Sequence, residues 1–230
     1  MLYRILRCVA LVLLRLCFRF RAVGVENVPA NGPVLLAANH VSFLDPVAVG
    51  AAVRRPLHFM AKAELFRVRA LGGLLRRLNA HPVDREGADA SALRAALGLL
   101  REGRALVVFP EGTRGMEGVL RPGKAGPGML AALAEAAVVP VYVQGTGRAL
   151  PRGGVLPRPA RIRVAYGPPI RFERGRGKAR YRAISDEIMA AIGGLKAEAE
   201  RGFRGHATVP ATSDHTDRTA RGPLAAGQIH

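Results

Sequence analysis

Two short segments of this chain carry residue types that can do chemistry. In the first, Asn39-His40-Val41-Ser42-Phe43-Leu44-Asp45-Pro46, a histidine precedes an aspartate by five positions. An imidazole steadied by a carboxylate is a general base. The carboxylate fixes the tautomer through one ring nitrogen, and the other nitrogen takes the proton of a substrate hydroxyl. On a regular helix, residues five apart lie about 140° out of register. His40 and Asp45 therefore meet only across a turn or a helix entry. Pro46 favours such an entry, because proline disfavours helical backbone at the residue before it and suits a first helical position. Asp45 is then expected at the N-cap, near the imidazole. Taken alone, the pattern is more often plain capping beside a packed histidine. Ser42 adds a minor alternative, nucleophilic catalysis through a covalent intermediate.

The second segment, Phe109-Pro110-Glu111-Gly112-Thr113-Arg114, follows an apolar run. A glycine turn at the carboxyl end of a strand can aim backbone N–H groups at an anion, which makes Gly112 and Thr113 candidates for a cradle. Arg114 supplies a planar fork suited to bidentate phosphate binding. Glu111 can accept a hydrogen bond from a glycerol hydroxyl. A plain strand-ending turn with a solvated arginine has the same spacing.

The elements that must hold these segments follow from periodicity. Strands are expected at 34–38, 57–61, 105–109, 138–143 and 161–166, and helices at 46–53, 63–78, 90–102, 128–136 and 178–200. The alternation argues for an α/β domain around a mixed or mostly parallel sheet flanked by helices. Ile184, Ile188, Ile192 and Leu195 share one helical face and are expected in the core. Residues 24–33 are rich in turn formers, and residues 202–230 lack periodicity. The expected organisation is a terminal helix at 1–24, one domain at 25–201 and a disordered tail at 202–230.

Residues 1–22 contain five arginines and no acid. The longest uncharged run, Cys8 to Leu14, is far short of the ~20 apolar residues a spanning helix needs. Wound as a helix, Arg4, Arg7, Arg15 and Arg19 fall within about 120° of arc, which Arg21 widens to about 160°. Leu2, Ile5, Leu6, Val9, Val12, Leu13, Leu16 and Phe20 lie opposite, although Leu11, Leu14 and Phe18 fall among the arginines. This pattern suits a helix lying in the interface of an anionic bilayer. Packing against the domain itself is the usual alternative. The chain of 230 residues carries a net charge of +18, and residues 23–201 hold +12 of it. A basic nucleic-acid-binding protein is thus a second reading, but tryptophan is absent and no helix-turn-helix, zinc-finger or aromatic RNA-binding signature occurs. The two cysteines, Cys8 and Cys17, form no metal-binding pattern, so no metal is expected.

Taken together and in this order, the two segments resemble the glycerolipid acyltransferase family, the 1-acyl-sn-glycerol-3-phosphate acyltransferases and their relatives. The family's NHxSxxD block matches Asn39, His40, Ser42 and Asp45, and its FPEGTR block matches 109–114 without a mismatch. Val83-Asp84-Arg85 resembles the block whose arginine helps hold the glycerol phosphate. Lys62-Ala63-Glu64-Leu65, Gly123-Lys124-Ala125-Gly126 and Val138-Val139-Pro140-Val141 resemble further blocks. The likeness spans roughly residues 25–170 and implies the family's mixed sheet flanked by helices. It also implies His40 and Asp45 as the catalytic pair, with Arg85, Glu111, Gly112, Thr113, Arg114, Lys62 and Lys124 binding substrate. The activity implied is transfer of an acyl group from acyl-CoA or acyl carrier protein to the free hydroxyl of a lysophospholipid, giving phosphatidic acid, with no cofactor. Glycerol 3-phosphate or another lyso-lipid is the alternative acceptor. The place implied is the cytoplasmic face of a cell membrane, peripheral or monotopic, against anionic lipid. One departure stands out: Gly115-Met116-Glu117 occupies positions where many relatives carry a serine and a further basic residue.

Overall fold

The computed structural model describes residues 1–83 and 89–202. Its strands are β1 (Arg21–Val23), β2 (Val34–Ala38), β3 (Leu57–Lys62), β4 (Ala80–Val83), β5 (Ala105–Val108), β6 (Ala137–Gln144) and β7 (Arg163–Tyr166). They form one sheet in the order β1-β7-β6-β2-β5-β3-β4. Neighbours run parallel except β6 and β7, which are antiparallel. The helices are α1 (Leu2–Phe18), α2 (Asp45–Ala52), α3 (Arg69–Arg77), α4 (Asp89–Arg101), α5 (Ala125–Ala134), α6 (Thr146–Ala149) and α7 (Lys178–Arg201). The expected α/β fold with a mostly parallel sheet is what the chain adopts.

Both faces of the sheet are covered, which is why its central strands read as unbroken apolar runs. In β2, Val34, Leu36 and Ala38 join Leu14 of α1 and Ala48, Val49 and Ala51 of α2. Leu35 and Ala37 point the other way, onto Leu100 of α4, Leu130 of α5 and the predicted stripe Ile184, Ile188, Ile192 and Leu195 of α7. Burying each leucine of this strand stabilises by about 1.5–3 kcal/mol.

Three expectations need correction. Residues 63–78 are not one helix: a 3-10 turn at Ala63–Phe66 precedes α3. Strands β1 and β4 were not expected, because three and four residues are too short to show alternation. The boundary expected near residue 24 falls inside the folded unit, since β1 pairs with β7 and Asn27 donates from its side chain to Tyr166 O. The tail expected at 202–230 lies, from residue 203 on, outside the described residues.

Helix α1 also belongs to that unit. Arg7 Nη1 donates to Ala51 O at the end of α2 (3.0 Å), and the Tyr3 hydroxyl accepts from Leu57 N (3.0 Å). Leu11, Leu14 and Phe18, the residues that interrupted the arginine stripe, pack into the core with Ala10. Leu2, Ile5, Val9, Val12, Leu13 and Leu16 remain exposed. The helix thus has two apolar faces, one turned inward and one turned outward. Among the described residues no helix is long and apolar enough to cross a membrane.

Candidate active site

The parallel strands bring the chemistry to one sheet edge. His40 lies just past the carboxyl end of β2, the Phe109 turn past β5, Lys62 at the end of β3 and Thr146 past β6. The carboxyl edge of such a sheet is where loops from separate strands converge. Asn39, buried, extends the β2–β6 pairing with its side chain, donating to Val143 O (3.0 Å) and accepting from Val143 N (2.7 Å). That pairing fixes where the next residue, His40, begins.

His40 Nδ1 meets Asp45 Oδ2 at 2.8 Å. The same oxygen accepts the backbone N–H groups of Val41 (2.7 Å) and Ser42 (2.8 Å). Asp45 is completely buried, while the His40 side chain keeps 13% of its exposure. A buried carboxylate oxygen receiving donors requires Nδ1 to carry the proton, which leaves Nε2 as the acceptor. The tautomer is therefore that of a general base. Asp45 is not the N-cap that its place before Pro46 suggested; Leu44 takes that position and Asp45 opens α2. Its carboxylate serves the histidine turn instead of the helix end. Ser42 is no free nucleophile: it is buried, and its hydroxyl donates to Leu150 O (2.8 Å).

The FPEGTR turn closes over the same histidine. Phe109 stacks on the His40 ring, with centroids 4.0 Å apart and planes 20° apart. Glu111 Oε1 accepts His40 N (3.0 Å) and Oε2 accepts Arg121 N (3.3 Å). Burial pushes the Glu111 carboxyl up, and those two backbone donors oppose the shift. With 4% exposure and both oxygens taken by backbone, Glu111 braces the two motifs together. The two backbone bonds give Glu111 an inward, bracing role alongside the expected contact with a glycerol hydroxyl. Gly115 N donates to His40 O (2.7 Å), completing the clasp. Gly112 sits at φ 72°, and a Cβ there would lie 2.6 Å from the Lys124 stem, so Lys124 crosses directly over the turn. The Arg114 guanidinium lies over the Phe43 ring, 3.7 Å from its centroid. Thr113 and Lys62 are exposed. Arg85 lies outside the described residues.

Comparison with known proteins bears directly on this arrangement. A family model described as "Acyltransferase" matches residues 19–144, more than half of the chain. The chain belongs to the acyltransferase family. It is 30% identical over 185 residues to the 1-acyl-sn-glycerol-3-phosphate acyltransferase of Bacillus subtilis, covering 79% of this chain and 90% of that one. The enzyme of the same name from Streptococcus pneumoniae is 33% identical over 138 residues, covering 59% of this chain and 49% of that one. The crystal structure of the 1-acyl-sn-glycerophosphate acyltransferase of Thermotoga maritima superposes with a TM-score of 0.66 at 26% identity, covering 81% of this chain and 74% of that one.

Beside the paired motifs, this acyltransferase holds an apolar cavity of about 440 Å3. Its walls come from α1 (Leu6, Ala10), α2 (Val47, Gly50) and α3 (Leu74, Leu75), and Phe109 lines it too. Phe109, one of the lining residues, is the ring that stacks on His40. Sequence reasoning missed two residues that the structure brings to this region, Thr146 and Glu117. Thr146 Oγ1 donates to Asp45 Oδ1 (2.5 Å) from 101 positions away. Glu117 falls within the noted departure from the family pattern, the one sequence signal that marked it.

Proposed function

We propose that this chain transfers an acyl group from an acyl thioester to the free hydroxyl of 1-acylglycerol 3-phosphate, giving phosphatidic acid. The observation that carries the reading is the position of the His40–Asp45 pair, whose ring stacks on the wall of the apolar cavity. The His40 Nε2 takes the acceptor hydroxyl proton as its oxygen attacks the thioester carbonyl. The resulting tetrahedral adduct collapses, the carbon–sulfur bond breaks, and the imidazolium returns the proton to the leaving thiolate. Asp45 steadies the imidazolium in between. The cavity takes an acyl chain, and Arg114, over Phe43 at the cavity rim, holds the acceptor phosphate with Lys124 nearby. Arg85 is the family's match for a second phosphate ligand. The names of the relatives support this acceptor, and acyl-CoA and acyl carrier protein are the two candidate donors.

The same reading sets the enzyme against an anionic bilayer, peripherally and on the cytoplasmic face. Val9 and Leu13 of α1, Phe43, Val47 of α2 and Leu74 of α3 line the cavity and are also exposed. The cavity rim thus continues into an outward apolar surface, against which lipid tails lose little by leaving the bilayer. Nucleic-acid binding leaves both the cavity and that surface unused.

An acceptor and donor panel with purified protein in lipid, read by mass spectrometry, tests the acceptor. Glycerol 3-phosphate accepted in preference to 1-acylglycerol 3-phosphate overturns it. His40→Ala tests the mechanism: kcat is expected to fall by at least ~10²–10⁴ with folding intact. Near-normal turnover removes the general-base role.

A further inference from the structure

The departure from the family pattern at Gly115-Met116-Glu117 has a geometric consequence. Glu117 turns inward and accepts two backbone N–H groups at the start of α6, Gly145 N on Oε1 (2.6 Å) and Gly147 N on Oε2 (2.9 Å). These two glycines flank Thr146, whose hydroxyl donates to Asp45 Oδ1. Backbone geometry requires glycine at 145, and at 147 the absence of a side chain leaves room for Glu117. Gly145 sits at φ 91° with Arg161 O only 1.9 Å from where a Cβ would be, and a Cβ on Gly147 would lie 2.6 Å from Glu117 Oε2. The same segment begins with Gly115, whose N–H grips His40 O. Residues 115–117 therefore hold one member of the catalytic pair directly and the other through Thr146.

We propose that Thr146 and Glu117 are positioning residues for acyl transfer: Thr146 holds the Asp45 oxygen that faces away from His40, and Glu117 fixes Thr146 in place. The proposal rests on the reading of His40 as the general base. Asp45 and Thr146 are both fully buried, so bulk water does not replace this hydrogen bond. The terminal torsion of an aspartate is broad and soft. With Oδ1 released, the carboxylate turns about that bond to relieve an unsatisfied buried oxygen, and Oδ2 leaves the line that holds Nδ1. The imidazole then loses the orientation that aims Nε2 at the hydroxyl.

The test uses the full chain in mixed micelles with acyl-CoA and 1-acylglycerol 3-phosphate, measuring kcat and acceptor KM separately. Thr146→Val keeps the shape and removes the hydroxyl; kcat is expected to fall about 10- to 100-fold with acceptor KM within about twofold. Thr146→Ser restores the donor and is expected within about threefold of the wild type. A Thr146→Val enzyme with wild-type kcat overturns the proposal. So does a Thr146→Ser enzyme as slow as Thr146→Val, because the methyl group would then be what matters. If Thr146→Val does not fold, Glu117→Gln decides, since its amide presents an N–H to one of the two backbone donors. Its kcat is expected to fall about 3- to 10-fold at constant KM, and a wild-type kcat overturns the proposal. His40→Ala, assayed alongside, separates the two levels. If it stays active, the general-base reading fails; if it is inactive while Thr146→Val is normal, only the positioning role fails.

Discussion

Asp45 spends four hydrogen bonds on one carboxylate: the ring of His40, the N–H groups of Val41 and Ser42, and the hydroxyl of Thr146. Such saturation is what keeps a buried charge tolerable, because an unpaired one costs far more than any single bond returns. The Arg114 guanidinium stacks over the exposed Phe43 ring. If it grips the acceptor phosphate, Arg114→Ala raises acceptor KM by about 10- to 100-fold and changes kcat much less. Phe43→Leu keeps the apolar rim and removes only the cation–π contact, so KM rises by a smaller factor, about 2- to 5-fold. Initial-rate kinetics on both variants decide this; an unchanged KM with a collapsed kcat would move Arg114 to the transition state. Residue types at this scale were legible from the two motifs. Direction was not: nothing in FPEGTR says that Glu111 turns inward to His40 N.

At the scale of elements, α1 turns one apolar face to the core and another outward. Its inward face ends on Leu14, 3% exposed, and Leu14→Ala is expected to cost about 2–5 kcal/mol of unfolding free energy in a denaturant titration. Val12→Glu and Leu16→Glu on the outward face should leave that titration unchanged and weaken flotation with anionic vesicles. Equal losses of stability from both faces would refute the division. The β3–β4 edge makes a different prediction. His58 Nδ1 and His81 Nε2 lie 2.9 Å apart. Burial, then His81, Arg104 and Arg55, push the His58 imidazole down from 6.5 to about 4, with Glu102 opposing. In that window the unfolded imidazole binds a proton that the folded one refuses, so stability falls as pH drops from 6.5 towards about 4. His58→Gln should flatten that part of a thermal-unfolding pH series. The periodicity of α7 and the strand β2 were readable in advance, because each repeats over several turns or faces two apolar layers. Strands β1 and β4 were not, being short edge strands, one of them interrupted by Pro82.

For the whole molecule, the net charge of +18 acts at a distance and the apolar surface acts on contact. The Debye length shrinks from ~30 Å at 0.01 M salt to ~3 Å at 1 M. Binding to anionic vesicles should therefore weaken steeply as salt rises. A residual, salt-insensitive part should remain for the wild type and vanish in the outward-face variants of α1. Flotation across a salt series measures both parts at once. Binding indifferent to salt would show that the basic surface faces away from the membrane.

By itself the chain of residues determined what depends on near neighbours: the α/β alternation, the apolar stripe of α7, the turn that lets His40 reach Asp45, and the reactive groups at the strand ends. These follow from steric and solvation rules acting over a few positions. Only the tertiary structure decided which oxygen meets which donor. The contact of Thr146 with Asp45 spans 101 positions, that of Glu111 with His40 spans 71, and both depend on how parallel strands stack β2 between β5 and β6. Such bonds are set by the path of the whole backbone, and no local pattern records that path.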